Sequence, residues 1–150
     1  MIDASLDVSV IVPVLERPEP LGELYEEFAA PLEAAGYSFE FIFCVHHWHV
    51  TIAEPLRVLA LRGAPVRILE FGQGVSETAM LKVGARSARA PIIVTLPPYR
   101  QTVADALPTL VRRVDEGAEL VVARRWPRRD SLVNRFQNRL LHMAIGRLAG

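Results

Sequence analysis

One cysteine, Cys44, stands among 150 residues. A lone thiol excludes a disulfide within the chain and a zinc centre built on cysteines. Its setting, Phe39-Glu-Phe-Ile-Phe-Cys-Val45, is that of a buried thiol. Net charge is also absent, since 17 basic residues balance 17 acidic ones, which argues against a general nucleic-acid binder. No apolar run is long enough to span a bilayer. The opening stretch MIDASLDVSVIVPV lacks the basic start and long apolar centre of a secretory signal, so a cytoplasmic protein is the expectation. No internal repeat or low-complexity linker interrupts the chain. It carries no G-x-G-x-x-G, no phosphate-loop lysine and no G-x-S-x-G elbow, and Ser76 sits in a helix-cap context.

What is present is a core and a charge gradient. The length is most simply one domain, and 51% hydrophobic residues are ample to build an interior. Residues 1–110 hold eight basic and thirteen acidic residues, whereas residues 111–150 hold nine basic and four acidic. A basic end of this kind suits phosphates or an anionic membrane surface, or is a solvated arginine face.

Val8–Val14 is a nearly continuous β-branched run, the signature of a strand buried on both faces of a parallel sheet. Leu21, Leu24, Tyr25, Phe28 and Leu32 recur at helical spacing, with Gly36 as a stop and Pro31 expected to kink or split the helix. Strands are expected at 39–45, 66–70, 92–96 and 120–123, and helices at 52–61, after Ser76 to 88, and at 103–116. A last helix is expected over 132–148. Alternation of this kind predicts an α/β fold with an open, mostly parallel sheet and helices on both faces. In such sheets ligands bind outside the carboxyl ends of the strands. The fourth strand, however, ends in Pro97-Pro98-Tyr99-Arg100, where two residues have neither charge nor N–H to offer.

With these segments in order, the chain resembles the family 2 glycosyltransferases, in particular the dolichyl-phosphate-mannose-synthase-like branch, over roughly residues 8 to 150. VSVIVPVLERPEPLGELYEEF resembles that family's first strand and turn. EFIFCVHHWH stands where the family has a strand ending in two aspartates. ILEFGQGVSETAMLKVGARSARAPIIVTL resembles its glycine loop, helix and metal-motif strand. VVARRWPRRDSLVNRFQNRLLHMAIGRLAG resembles its basic loop and interface-type helix. The resemblance implies a nucleotide-sugar-binding domain of Rossmann-like, GT-A type. It also implies an Asp-x-Asp motif holding Mg²⁺ or Mn²⁺ against a diphosphate, because a hard divalent cation takes carboxylate oxygens and bridges phosphates. Here the aspartate pair falls on Val45 and His46, or on His46 and His47, and the metal motif falls on Pro97-Pro98-Tyr99. Proline has no donor atom and a phenol is neutral at pH 7, so no metal cofactor and no catalytic residue are assigned. The chain also stops before the part of the family domain that supplies the catalytic base.

By that resemblance the nucleotide-binding candidates are Pro13, Val14, Glu16, Arg17, His46, Gly72, Pro97, Tyr99, Arg100 and Arg124. If a diphosphate binds without metal, Arg100 with Arg124, Arg125, Arg128 and Arg129 would stand in for the cation. His46, His47 and His49 invite a zinc or nickel reading, and in extended chain His47 and His49 share a face while His46 points away, but no cysteine or nearby carboxylate completes four ligands. The alternatives are a polar loop in which Trp48 is a packing anchor, or stacking of Trp48 or His46 on a nucleobase. Gly72-Gln-Gly74 reads as a turn into a helix or as a border of the nucleotide pocket. The apolar stripe of helix 131–149 packs on its own sheet, docks on a second copy or partner chain, or lies at a membrane surface. Three functions stay open: a glycosyltransferase-like domain without metal-dependent transfer, which binds a nucleotide or nucleotide-sugar or serves as a non-catalytic subunit; an active metal-independent transferase using arginines; and an interaction module assembling through that helix.

Overall fold

The computed structural model describes residues 5–16 and 18–123. Strand β1 (Val8–Val14) is buried at every residue, as is β2 (Phe39–His46). β3 (Val66–Phe71) and β4 (Ile92–Thr95) flank them and are only partly covered. All pairings are parallel, and the sheet order is β3-β2-β1-β4. The continuous apolar runs thus fall on the two central strands, the only ones of the four with a neighbour on each side.

Alternate residues feed two cores of unequal size. Val8, Val10, Val12 and Val14 of β1 point with Phe41 and Phe43 of β2 into the larger one. Helices α1 (Leu21–Ala34), α2 (Glu54–Leu61) and α4 (Leu107–Asp115) close it with Leu24, Phe28, Leu32, Leu56, Leu107 and Val111. Tyr25 meets Phe41 edge-on at 5.1 Å, a favourable aromatic geometry. On the opposite face α3 (Glu77–Ser87) brings Met80 onto Ile11, Ile42 and Cys44. That approach is close: a Cβ on Gly84 would lie 2.7 Å from Ile11 Cγ2 and 3.0 Å from Cys44 Sγ. The Cys44 thiol donates weakly to the Met80 carbonyl at 3.5 Å, and burial pushes its pKa up to about 11. It is a packing group, inert as a nucleophile.

Helix ends follow the local chemistry. Ser76 Oγ accepts from the Ala79 N–H at 3.3 Å and caps α3. Gly36 ends α1 at φ 79°. Three expectations need correction. Pro31 does not split α1, which runs through it to Ala34. Residues 47–53 are a 3-10 helix instead of extended chain, so the alternation of faces expected for the histidines is lost. Leu120–Ala123 is not a strand. β-Branched composition gives propensity, but a strand also needs a ladder partner, and this segment lies across an apolar groove of ≈ 610 Å³ from the β4 edge. Leu120 and Val122 are accordingly 81% and 78% exposed.

One carboxylate ties the amino ends of the strands together. Glu40 on β2 is fully buried. Its oxygens accept from Ser9 Oγ of β1 (2.8 Å), Arg67 of β3 (3.0 Å), and both the backbone N–H (2.9 Å) and Nε (3.0 Å) of Arg89 ahead of β4. Ser9 Oγ also accepts from the Ala90 N–H at 3.0 Å. Burial alone would raise the Glu40 pKa, but hydrogen bonds from Arg89, Ser9 and Arg67 outweigh it and hold the carboxyl below the ordinary glutamate range.

Two predictions follow from these contacts. Glu40→Gln should lower stability by about 2–4 kcal/mol, because several buried donors lose a charged acceptor; urea unfolding at pH 7 measures it. A depressed carboxylate stabilises above its unfolded pKa and loses that contribution as pH falls through the folded value, so the difference between wild type and variant should narrow below the ordinary glutamate range. Gly84→Ala should destabilise by about 1–3 kcal/mol through overpacking against Ile11, despite a helix-propensity gain of about 1 kcal/mol; the denaturant midpoint reads the net sign.

Candidate functional site

In the order β3-β2-β1-β4 the chain steps one way from β1 to β3, then crosses to the other side of β1 for β4. The carboxyl ends of β1 and β4 therefore flank the switch point of the sheet, where segments leaving the two strands diverge and open a crevice. A cleft of ≈ 480 Å³ lies there, lined by Pro13, Leu15, Glu16 and Glu19 beyond β1, Glu77 at the start of α3, and Pro97, Pro98 and Tyr99 beyond β4.

Four of the expected residues meet in this cleft: Pro13, Glu16, Pro97 and Tyr99. Val14 is adjacent in sequence but fully buried in the larger core. His46 ends β2 outside the cleft's lining, and Gly72 lies exposed beyond β3, also outside it. Arg17, Arg124, Arg125, Arg128, Arg129 and helix 131–149 lie outside the described residues. Leu15, Glu19, Pro98 and Glu77 complete the wall. Glu19 and Glu77 carried no motif of their own; only their places just after β1 and at the start of the helix before β4 mark them in the sequence.

The lip beyond β4 is anchored through Arg100. Its guanidinium contacts Glu27 and Glu19 at 2.5 Å each and Glu23 at 3.6 Å. The Arg100 N–H donates to Glu19 at 3.2 Å, and the Glu19 N–H donates to the Pro98 carbonyl at 2.9 Å. The hydrogen bonds it donates to Glu27 and then to Glu19 raise the arginine pKa further, so it stays a cation already surrounded by carboxylates. The cleft wall itself carries Glu16, Glu19 and Glu77 and no basic residue among those described.

Its fit to a divalent cation is poor. The position of the family's metal motif offers two prolines and a phenol. Among the described residues no group of three His, Cys, Asp or Glu is placed to hold a metal ion, so no step is drawn through one.

Beside the cleft, the 3-10 helix His47–Ala53 continues directly from β2. His49 Nε2 donates to the Leu15 carbonyl at 3.0 Å; a carbonyl only accepts, so this nitrogen carries the proton. His46 is 3% exposed and packs against His47 in a tilted contact (4.4 Å between centroids) and against Trp48 edge-on (4.8 Å). Nδ1 of His46 and Nδ1 of His47 are buried without a hydrogen-bond partner. Burial, then the neighbouring His47 and His49 imidazoles, lowers the His46 pKa. Trp48 is 73% exposed, so it is a surface ring on two imidazoles and not a core anchor.

Sheet order and cleft together define an open parallel α/β domain with its crevice between the carboxyl ends of β1 and β4. Sequence comparison gives the particular relatives. The chain is 29% identical over 144 residues to the undecaprenyl-phosphate 4-deoxy-4-formamido-L-arabinose transferase of Pseudomonas paraeruginosa, an alignment covering 95% of this chain and 42% of that one. It is 27% identical over 144 residues to the Edwardsiella ictaluri protein of the same name, and 28% over 145 residues to that of Salmonella paratyphi A, each covering 95% of this chain and 44% of the relative. The chain thus spans less than half the length of the curated relatives it matches. No family model matches it. These transferases bear out the resemblance to the family 2 glycosyltransferases. Among the described residues no helix is long and apolar enough to cross a membrane.

If Arg100 holds the lip, Arg100→Gln should speed amide hydrogen exchange at Tyr99, Arg100 and Gln101 while leaving the global urea midpoint nearly unchanged, as loss of exposed ion pairs does. Exchange mass spectrometry alongside urea unfolding separates the two effects.

Proposed function

We propose that this chain is a glycosyltransferase-like domain that binds a nucleotide or nucleotide-sugar at the β1–β4 cleft and carries out no metal-dependent glycosyl transfer. The observation that carries the reading is the cleft's position at the switch point of the sheet, where open parallel α/β folds receive ligands. Its composition shapes the expected mode. Pro97, Pro98 and Tyr99 offer an apolar and aromatic wall, and Glu16, Glu19 and Glu77 offer acceptors for hydroxyl or amide N–H groups. A sugar ring or a nucleoside fits that chemistry better than a bare diphosphate, which three carboxylates would repel. The names of the relatives make a 4-deoxy-4-formamido-L-arabinose donor and undecaprenyl phosphate the pair to test beside common nucleotide-sugars.

An active transferase using arginines in place of the cation is the less favoured reading, because Arg100 is already engaged by three glutamates. Its release would cost those contacts before any were made to phosphate.

Calorimetric titration of the full chain with UDP, GDP and their sugar conjugates, each with and without Mn²⁺, tests the proposal. Binding of the same strength in both conditions, without turnover, is the expected result. Binding that requires Mn²⁺ would contradict the loss of the metal site, and no binding in any condition would leave a scaffold or partner subunit.

A further inference from the structure

We infer that the His46–His47–Trp48 ring cluster is an acid-responsive element: a proton taken up at His46 breaks the cluster and releases Trp48 and the 3-10 helix from the carboxyl edge of the sheet. The inference stands on the geometry of these side chains and does not depend on the proposed ligand.

The neutral arrangement is poised against a charge. His46 is almost wholly buried, with its Nδ1 sealed from water and unpartnered. A proton gained there creates a buried cation with no hydrogen-bonded counter-ion. A second imidazole, that of His47, lies 4.4 Å away by ring centroids and offers no negative charge to offset the proton. The indole of Trp48 meets His46 in a tilted, T-shaped contact at 63°, not with its face turned squarely to the ring as cation–π attraction prefers.

Charges on the surrounding elements are committed elsewhere. On α2, Glu54 pairs with Arg57 at 3.0 Å, and Arg57 also pairs with Glu70 of β3. Glu23 of α1 faces Arg100 at 3.6 Å, and Glu19 and Glu27 hold the same guanidinium. Glu16 beyond β1 is exposed on the cleft wall, and Glu77 begins α3 there. None of these carboxylates hydrogen-bonds the His46 Nδ1.

The sign of the linkage is set by the direction of the shift. Burial keeps His46 neutral in the fold below the pH at which the unfolded chain would take up the proton. The associated stability is therefore complete above the unfolded pKa of about 6.5 and is lost as pH falls through the lower folded value. The consequence reaches the cleft, since His49 of the same 3-10 helix holds the carbonyl of Leu15, a wall residue.

The test uses the full chain with Trp126→Phe, which leaves Trp48 as the only indole. Its emission is followed from pH 7.5 to 5.0 together with far-ultraviolet circular dichroism, and the histidine Cε1–H resonances are titrated by NMR. The inference expects one emission transition with a midpoint below about 6.5, coincident with the His46 resonance, at constant dichroism, and abolished in His46→Asn. Emission that stays flat, a transition that occurs only with loss of secondary structure, or one that tracks another histidine and survives in His46→Asn would overturn it. Should His46→Asn not fold, the coincidence of the Trp48 and His46 titrations in the parent protein decides alone.

Discussion

A single buried carboxylate constrains the sheet more tightly than any hydrophobic contact does. Glu40 sits with zero exposure among groups from all four strands' amino ends: Ser9, Arg67 and the backbone and side chain of Arg89. An apolar strand tolerates small slips in packing, but a buried ion left without donors does not. In the observed register Ser9 lies beside Glu40, and Arg67 beside Ile42. A slip by one residue would turn Glu40 into the aromatic core and Phe41 out of it. The pairing of β1, β2 and β3, and the entry to β4, are fixed together by this one side chain.

From that fixed end the strands run in parallel to the opposite edge, where the chemistry lies. The division of labour is spatial: ionic and satisfied at the amino ends, open at the carboxyl ends. β1 and β4 part at the switch point and leave a cleft whose far wall is the proline lip. The lip is held by charge, through Arg100 and its glutamates. The cleft offers acceptors and apolar surface, and among the described residues no arrangement suits a divalent cation.

Much of this was legible in the residues. Val8–Val14 read as a doubly buried strand from its continuous β-branched run, and 39–45 as a second strand, whereas Ser9 and Glu40, the polar residues inside them, gave no sign of their network. A glutamate inside a fully buried strand must have partners, but which ones they are depends on β3 and the turn before β4, which no local pattern reveals. Leu120–Ala123 misled for the complementary reason: its composition is that of a strand, and pairing is a property of the neighbours. His46 to His49 were read in extended chain, whereas the 3-10 helix that starts at His47 gathers the rings of His46, His47 and Trp48 into one cluster. Pro13, Glu16, Pro97 and Tyr99 line one crevice because β1 and β4 are neighbours whose carboxyl ends flank the switch point. Arg100 could be located but not its three partners, since Glu19, just ahead of α1, and Glu23 and Glu27 on it are far away in sequence.

The central claim is that the switch-point cleft receives a sugar or nucleotide without the help of a metal ion. Mapping backbone amide shifts of the isotope-labelled chain on adding a nucleotide-sugar, with chelator present throughout, tests it most directly. The account predicts perturbations clustered at Leu15, Glu16, Glu19, Glu77 and Tyr99, with the groove beside β4 unaffected. Shifts confined to residues 107–123, or shifts that appear only when Mn²⁺ replaces the chelator, would contradict it.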